Sequence, residues 1–238
     1  MKNVSDLKIK LFADGADKVQ ILRAHANPMI RGFTTNPSLM RSAGVKDYEA
    51  FAHEILEVVN DRPISFEVFA DEFSEMERQA RKIANWADNV YVKIPVTNTR
   101  RQSSAELIGC LSRSGVKVNV TAVLTLDQVR CAAAALGGGA PSVISVFAGR
   151  IADTGRDPVP LMAAAVDVVA AHSNIELLWA SPRELLNVFQ ADDVGCHIIT
   201  ATEGILSKLG TVGKNLDDYS LETVVMFYTD AARCEYEL

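Results

Sequence analysis

A lysine, two carboxylates and a set of hydroxyl and amide side chains are spread through apolar runs of this chain, and together they could form and break a carbon–nitrogen bond. Lys93 sits in Asn89-Val90-Tyr91-Val92-Lys93-Ile94-Pro95-Val96, β-branched and aromatic, with a proline two residues on. Such a run reads as a strand. Side chains alternate across a strand, so Val90, Val92 and Ile94 share one face while Tyr91 and Lys93 share the other. An amine held away from water loses part of its preference for the charged form, and a neutral amine attacks a carbonyl. A lysine that merely reaches solvent from a strand end would look the same in isolation. The other polar residues distinguish the two readings.

Those residues recur at the ends of similar runs. Asp14 closes Lys8–Asp14, and Thr34-Thr35-Asn36 close Gly32–Asn36. Glu67 lies in Pro63–Ala70, on the face of Ser65 and Phe69. Lys117–Leu124 carries Asn119 and Thr121 on one face, with Val118 and Val120 on the other. Ser142–Ala148 carries Ser145 and Phe147, with Arg150 in the loop beyond. Ile175–Ser181 ends at Ser181 with Arg183 just past it, and Cys196–Thr202 offers Thr200 and Thr202. Each has a plain structural explanation: Asp14 caps a helix, Asn36 makes the turn before Pro37, Glu67 pairs with a base, and the arginines are solvated. Gathered round one cavity they imply use, because a barrel core rarely tolerates so many polar groups.

A buried lysine near carboxylates suits Schiff-base chemistry on a ketone or aldehyde. The protonated imine accepts electrons, so the adjacent carbon–carbon bond breaks without a metal. The cycle needs a proton shuttle and a base for the neighbouring hydroxyl; Asp14 and Glu67 are the available acids, with water relayed by Thr121. Arg150 and Arg183, past the sixth and seventh runs, stand where barrels often bind phosphate.

The elements that must position these residues follow from periodicity. Eight strand-length runs recur, their starts roughly 20 to 33 residues apart, which fits a strand, a helix and two short loops. Lys46–Asn60, Phe73–Ala87, Ser103–Ser114, Leu126–Leu136 and Pro160–His172 show helical periodicity. Thr125-Leu126-Asp127-Gln128 and Ser181-Pro182-Arg183-Glu184 read as helix starts; Gly115, Gly137-Gly138-Gly139 and Gly210 read as helix ends or turns. No linker divides the chain, so residues 1–238 predict a single (β/α)8 barrel of the TIM type. Asn215–Leu238 adds a C-terminal helical tail, whose Leu221, Val224, Val225 and Tyr228 pack on the barrel or on a neighbouring subunit.

At 48% hydrophobic and 23% charged, with a net charge of −6, the composition predicts a soluble protein and gives no support to nucleic-acid or membrane-surface binding. No run is long enough to span a bilayer, and the N-terminus has no apolar signal core. Cys110, Cys131, Cys196 and Cys234 are scattered, as expected of reduced thiols in a cytoplasmic protein. His25, His53, His172 and His197 show no ligand spacing, so neither a metal nor another cofactor is expected.

Gly32-Phe33-Thr34-Thr35-Asn36-Pro37-Ser38-Leu39, Val92-Lys93-Ile94-Pro95, Asn119-Val120-Thr121, Ser145-Val146-Phe147-Ala148-Gly149-Arg150-Ile151 and Ala180-Ser181-Pro182-Arg183 resemble, in order, segments of the transaldolase family. The chain is similar to the short form of that family, class I aldolase-type barrels that assemble as pentamers or decamers. The resemblance implies that Lys93 forms the Schiff base, Asp14 is the acid/base, and Glu67 and Thr121 hold the catalytic water. It implies that Asn36, Asn119 and Ser145 bind the dihydroxyacetone part, with Thr35 and Phe147 beside them, and that Arg150, Ser181 and Arg183 bind phosphate. The implied reaction transfers a dihydroxyacetone unit from fructose 6-phosphate or sedoheptulose 7-phosphate to an aldose phosphate.

One branch of the family is a fructose-6-phosphate aldolase that releases free dihydroxyacetone. It has glutamine, alanine and tyrosine where this chain has Glu67, Ser145 and Phe147. All three positions resemble the transaldolase branch. Trp179 places bulk near the seventh strand, where it would reshape the pocket and change which sugar fits, and a sugar carrying another anion, such as a sulfonate, would use the same arginines. A phosphosugar isomerase would not need a lysine so placed, and a barrel that only binds a sugar phosphate needs no imine-forming amine.

Overall fold

β-Branched runs too short for helices and separated by turn residues form eight parallel strands. These are β1 (Lys10–Asp14), β2 (Ile30–Thr34), β3 (Ile64–Glu67), β4 (Val90–Pro95), β5 (Val118–Val123), β6 (Ser142–Val146), β7 (Ile175–Trp179) and β8 (Ile198–Ala201). They close in sequence order, with β8 pairing back on β1, in a computed structural model that describes residues 2–234. The helices are α1 (Lys18–His25), α2 (Pro37–Ser42), α3 (Tyr48–Leu56), α4 (Phe73–Ala84), α5 (Ala105–Arg113) and α6 (Leu126–Leu136). They continue with α7 (Ala148–Ala152), α8 (Val159–Val169), α9 (Leu186–Asp193), α10 (Glu203–Leu206) and α11 (Leu216–Arg233). The arrangement is a TIM barrel with an additional C-terminal helix.

Strand alternation divides the core in two. Val92, Val118, Val120, Ile144, Leu177 and Ile199 face outward and pack with the helices in one large cluster. Phe12, Val143, Leu178, Ala180 and Ile198 form a separate cluster. On the alternation they face inward and fill the barrel. Gly32 makes room for this plug: a Cβ there would fall 2.4 Å from the Phe12 ring.

Capping side chains set where helices begin. Asn36 accepts from the Leu39 amide at 3.0 Å, Asp17 from Gln20 at 2.8 Å, and Thr125 from Gln128 at 3.2 Å, the last within a reciprocal capping box. Gly115 and Gly138 turn the chain with φ of +92° and +74°.

Several expectations are corrected. β3 stops at Glu67, so alternation does not carry Phe69 onto the Glu67 face; Phe69 is exposed, its ring 4.5 Å from that of Tyr48. Asn36 lies beyond β2 as a helix cap, and Arg150 sits in α7 rather than a loop. Ser181–Glu184 is a turn before α9, and Gly210 lies inside a 3-10 segment, Ser207–Thr211. The fully buried Trp179 belongs to the helix-facing cluster and does not reshape the barrel mouth. Of the tail, α11 is helical to Arg233; residues 235–238 lie outside the described residues. Among the described residues, no helix is long and apolar enough to cross a membrane, and no group of three His, Cys, Asp or Glu side chains is arranged to hold a metal ion.

Candidate active site

Strand register brings the predicted polar residues together. Glu67, Lys93 and Asn119 are successive partners across β3, β4 and β5, and Asp14, Thr34 and Ser65 across β1, β2 and β3. A cavity of 460 Å³ opens at the carboxyl ends of the strands. Asp14, Asn36, Glu67, Lys93, Thr121 and Ser145 line it, with Phe147, Arg150 and Ser181 at the β6 and β7 end.

Lys93 is 5% exposed, and its amine has two anchors. It donates to the Thr35 carbonyl at 2.8 Å and pairs with Glu67 Oε2 at 3.2 Å. Tyr48 holds Glu67 through its backbone: the Tyr48 hydroxyl accepts from the Glu67 amide at 2.8 Å and donates to the Glu67 carbonyl at 3.2 Å. Burial pushes the Tyr48 phenol well above its ordinary pKa, so the clamp stays protonated. Sequence reasoning missed Tyr48, which is one more aromatic residue on an amphipathic helix until the fold brings it to the end of β3.

Asp14 sits across the cavity. Its carboxylate accepts from Thr34 Oγ1 at 2.7 Å, which leaves Thr200 to donate to Thr34 at 2.5 Å. Burial pushes the Asp14 carboxyl above the usual carboxylate range, against the opposing pull of the Lys93 charge and the Thr34 hydrogen bond. The Thr121 hydroxyl is buried with no hydrogen-bond partner among the described residues. Beside it β5 bulges: the register shifts between Val120 and Val123, and Ala122 takes φ +60°. That left-handed, non-glycine conformation costs free energy, and nothing in the sequence signals it.

Three expected site residues lie outside the cavity lining. Asn119 is 1% exposed and bridges Ser65 Oγ (3.0 Å) and Ser145 Oγ (2.7 Å), so its polar atoms are engaged within the barrel. The Thr35 hydroxyl donates to the Ser65 carbonyl at 2.9 Å, and its contribution to the site is the carbonyl that holds Lys93. Arg183 forks onto Asp153, with Nε at 2.7 Å and Nη2 at 2.5 Å from the two carboxylate oxygens. The guanidinium carbon of Arg150, by contrast, lies 5.1 Å from the Phe147 ring centroid on the cavity wall.

Chemically, this is a desolvated amine between carboxylates, with an unpaired hydroxyl nearby and a guanidinium at one end. Residues 11–237 match the family model described as Transaldolase/Fructose-6-phosphate aldolase. Similar proteins include one named "Probable transaldolase" from Thermoanaerobacter sp. (strain X514), 35% identical over 205 residues that cover 84% of this chain and 89% of that one. Another of that name, from Dehalococcoides mccartyi, is 32% identical over 202 residues covering 84% and 90%. Among solved structures, QR15, described as an aldolase, superimposes with a TM-score of 0.57 at 12% identity, covering 87% of this chain and 99% of that one. At such identity the likeness shows the fold alone.

Proposed function

The chain belongs to the transaldolase/fructose-6-phosphate aldolase family, and from that premise we propose that it transfers a dihydroxyacetone unit from a ketose phosphate to an aldose phosphate through an imine on Lys93. The observation that carries this reading is the buried Lys93 amine 3.2 Å from the Glu67 carboxylate, in a cavity that also holds Asp14 and the unpartnered Thr121 hydroxyl. Donors of the expected kind are fructose 6-phosphate and sedoheptulose 7-phosphate.

In this mechanism Lys93 Nζ adds to the donor's C2 carbonyl, and the carbinolamine loses water to give the iminium. Glu67 and Thr121 hold that water and pass protons to and from it. Asp14 takes the proton of the C4 hydroxyl. The C3–C4 bond then breaks, its electron pair moves to C3 and into the iminium, and an aldose leaves behind an enamine. An acceptor aldehyde is attacked by C3, Asp14 returns the proton to the new alkoxide, and water hydrolyses the second iminium to free Lys93. Burial that raises the Asp14 pKa brings its proton affinity nearer the working pH, which suits a group that both takes and gives a proton. Ser145 and Asn36 face the dihydroxyacetone end, and Arg150 and Ser181 the phosphate.

Phe147 favours transfer over release, since its ring adds no hydroxyl to activate water against the bound enamine. The test is product analysis with fructose 6-phosphate and erythrose 4-phosphate. Sedoheptulose 7-phosphate is the expected product. Free dihydroxyacetone as the main product would make the chain an aldolase instead. We also propose a homo-oligomer, because α11 exposes Leu216, Leu221, Val224, Val225, Phe227 and Tyr228, a large apolar surface for a second copy to cover. A monomer at micromolar concentration in sedimentation would contradict it.

A further inference from the structure

The end of β3 outlasts its neighbour. β2 stops at Thr34, and the Thr35 amide makes its last bond to β3, donating to the Ser65 carbonyl at 3.1 Å. Val68 turns to the other side and donates to the Lys93 carbonyl at 3.1 Å. Glu67, two residues past Ser65, therefore turns its amide and carbonyl toward β2. No strand remains there to meet them, because Asn36 has already led the chain into α2. The Tyr48 hydroxyl takes the place of the missing strand, accepting from the Glu67 amide at 2.8 Å and donating to its carbonyl at 3.2 Å. Asp47 fixes where α3 begins by accepting from the Ala50 amide at 3.0 Å, which makes Tyr48 the first residue of that helix. The Tyr48 ring packs among those of Phe66, Phe69 and Trp86, at 6.1, 4.5 and 5.8 Å between centroids.

The Glu67 carboxylate depends on this arrangement. Among the described residues its one partner is the Lys93 amine at 3.2 Å, the group it has to serve, so its aim is set from its own backbone. Resting on the proposed reading of the cavity, we propose that Tyr48, which does not line the cavity, is a positioning residue for imine formation: it holds the end of β3 so that Glu67 reaches the carbinolamine on Lys93. Glu67 delivers the proton with which the carbinolamine hydroxyl leaves as water, while the lone pair of Lys93 Nζ closes the carbon–nitrogen double bond. Burial keeps the Tyr48 phenol protonated, so its bond to the Glu67 carbonyl persists through the working pH range.

The test is a double-mutant cycle of Tyr48→Phe and Glu67→Ala. It is read by the rate at which borohydride traps dihydroxyacetone, a small ketone without phosphate, on Lys93 in the folded protein. Tyr48→Phe should slow trapping by about 10²-fold, the order expected of a small misplacement, and should lower kcat with the KM for the donor unchanged. Added to Glu67→Ala, it should cost nothing further. Hydrogen exchange of the Glu67 amide, slow in wild type and fast in Tyr48→Phe, checks the clamp itself. Trapping at the wild-type rate in Tyr48→Phe would make Tyr48 a packing residue and overturn the proposal. Losses that multiply in the double variant, or an unprotected Glu67 amide in wild type, would overturn it too. A wild-type protein that traps dihydroxyacetone on Lys93 but transfers from no ketose phosphate would refute the transaldolase reading and leave this inference to stand on the cycle; one that traps no carbonyl on Lys93 would refute both.

Discussion

The two ends of the barrel interior are built from the same alternating strands, yet they hold opposite chemistry. Toward the amino ends, Phe12, Val143, Leu178 and Ile198 close the barrel as an apolar plug. Below the plug, Lys10 pairs with Glu176 at 2.7 Å where water reaches both. Toward the carboxyl ends, Lys93, Asp14 and Glu67 crowd one cavity and the Thr121 hydroxyl has no partner among the described residues. Buried polar groups cost free energy unless their partners satisfy them. One end therefore contributes stability, and the other holds a constellation that stability alone does not explain.

The sharpest way to break that contrast is to remove Lys93. Lys93→Ala should reduce transfer to background while the protein still folds; turnover near wild type would place the chemistry elsewhere. Thr121→Val removes the unpaired hydroxyl at constant shape and should lower kcat by about 10²–10⁴-fold if it relays protons. An unchanged kcat would make it a packing residue. At the other end the effects should be on stability. Phe12→Ala opens a cavity in the plug and should cost about 3–5 kcal/mol in denaturant unfolding, with the borohydride-trapped fraction of folded protein unaltered. Loss of trapping in folded Phe12→Ala would mean that the two ends are coupled.

Asp14 belongs to the functional end, and its stability signature should run the other way. Its pKa is raised on folding, so its favourable contribution is complete below the ordinary carboxylate pKa and is lost as pH rises through the folded value. Asp14→Asn should therefore melt above wild type at neutral pH while transferring poorly, and the gap should close as pH falls below about 4. A lower melting temperature for the variant at neutral pH would show that the carboxylate is well paired. The smallest effect is expected at Lys10. Lys10→Ala breaks a half-exposed pair and should change stability by about 0–1 kcal/mol, with no change in kcat.

The barrel was legible because eight apolar runs and the helical stretches between them recur at similar spacings; the strand ends were less so, since β2 stops at Thr34 rather than Asn36 and β3 at Glu67 rather than Ala70. The site was legible to the extent that register alone fixes it. Lys93 and Glu67 fall side by side because β3 and β4 pair residue for residue. Partners chosen by packing were hidden. Tyr48 reaches Glu67 only because α3 lies over β3, and Asp153 claims Arg183 only because α7 abuts the turn after β7. The bulge at Ala122 and the left-handed Ser181 were also hidden, since strain at a non-glycine residue leaves no mark in residue type. Trp179 shows the complementary case: its bulk near the seventh strand suggests an effect on the pocket, but alternation places it against the helices.

The central claim is that Lys93 is the imine-forming residue, and the most direct test is borohydride reduction of the protein with fructose 6-phosphate in the absence of acceptor, followed by peptide mass spectrometry. The account predicts a reduced dihydroxyacetone adduct on Lys93 that erythrose 4-phosphate depletes when added before the reductant. An adduct on another lysine, or none across a panel of ketose phosphates, would contradict it.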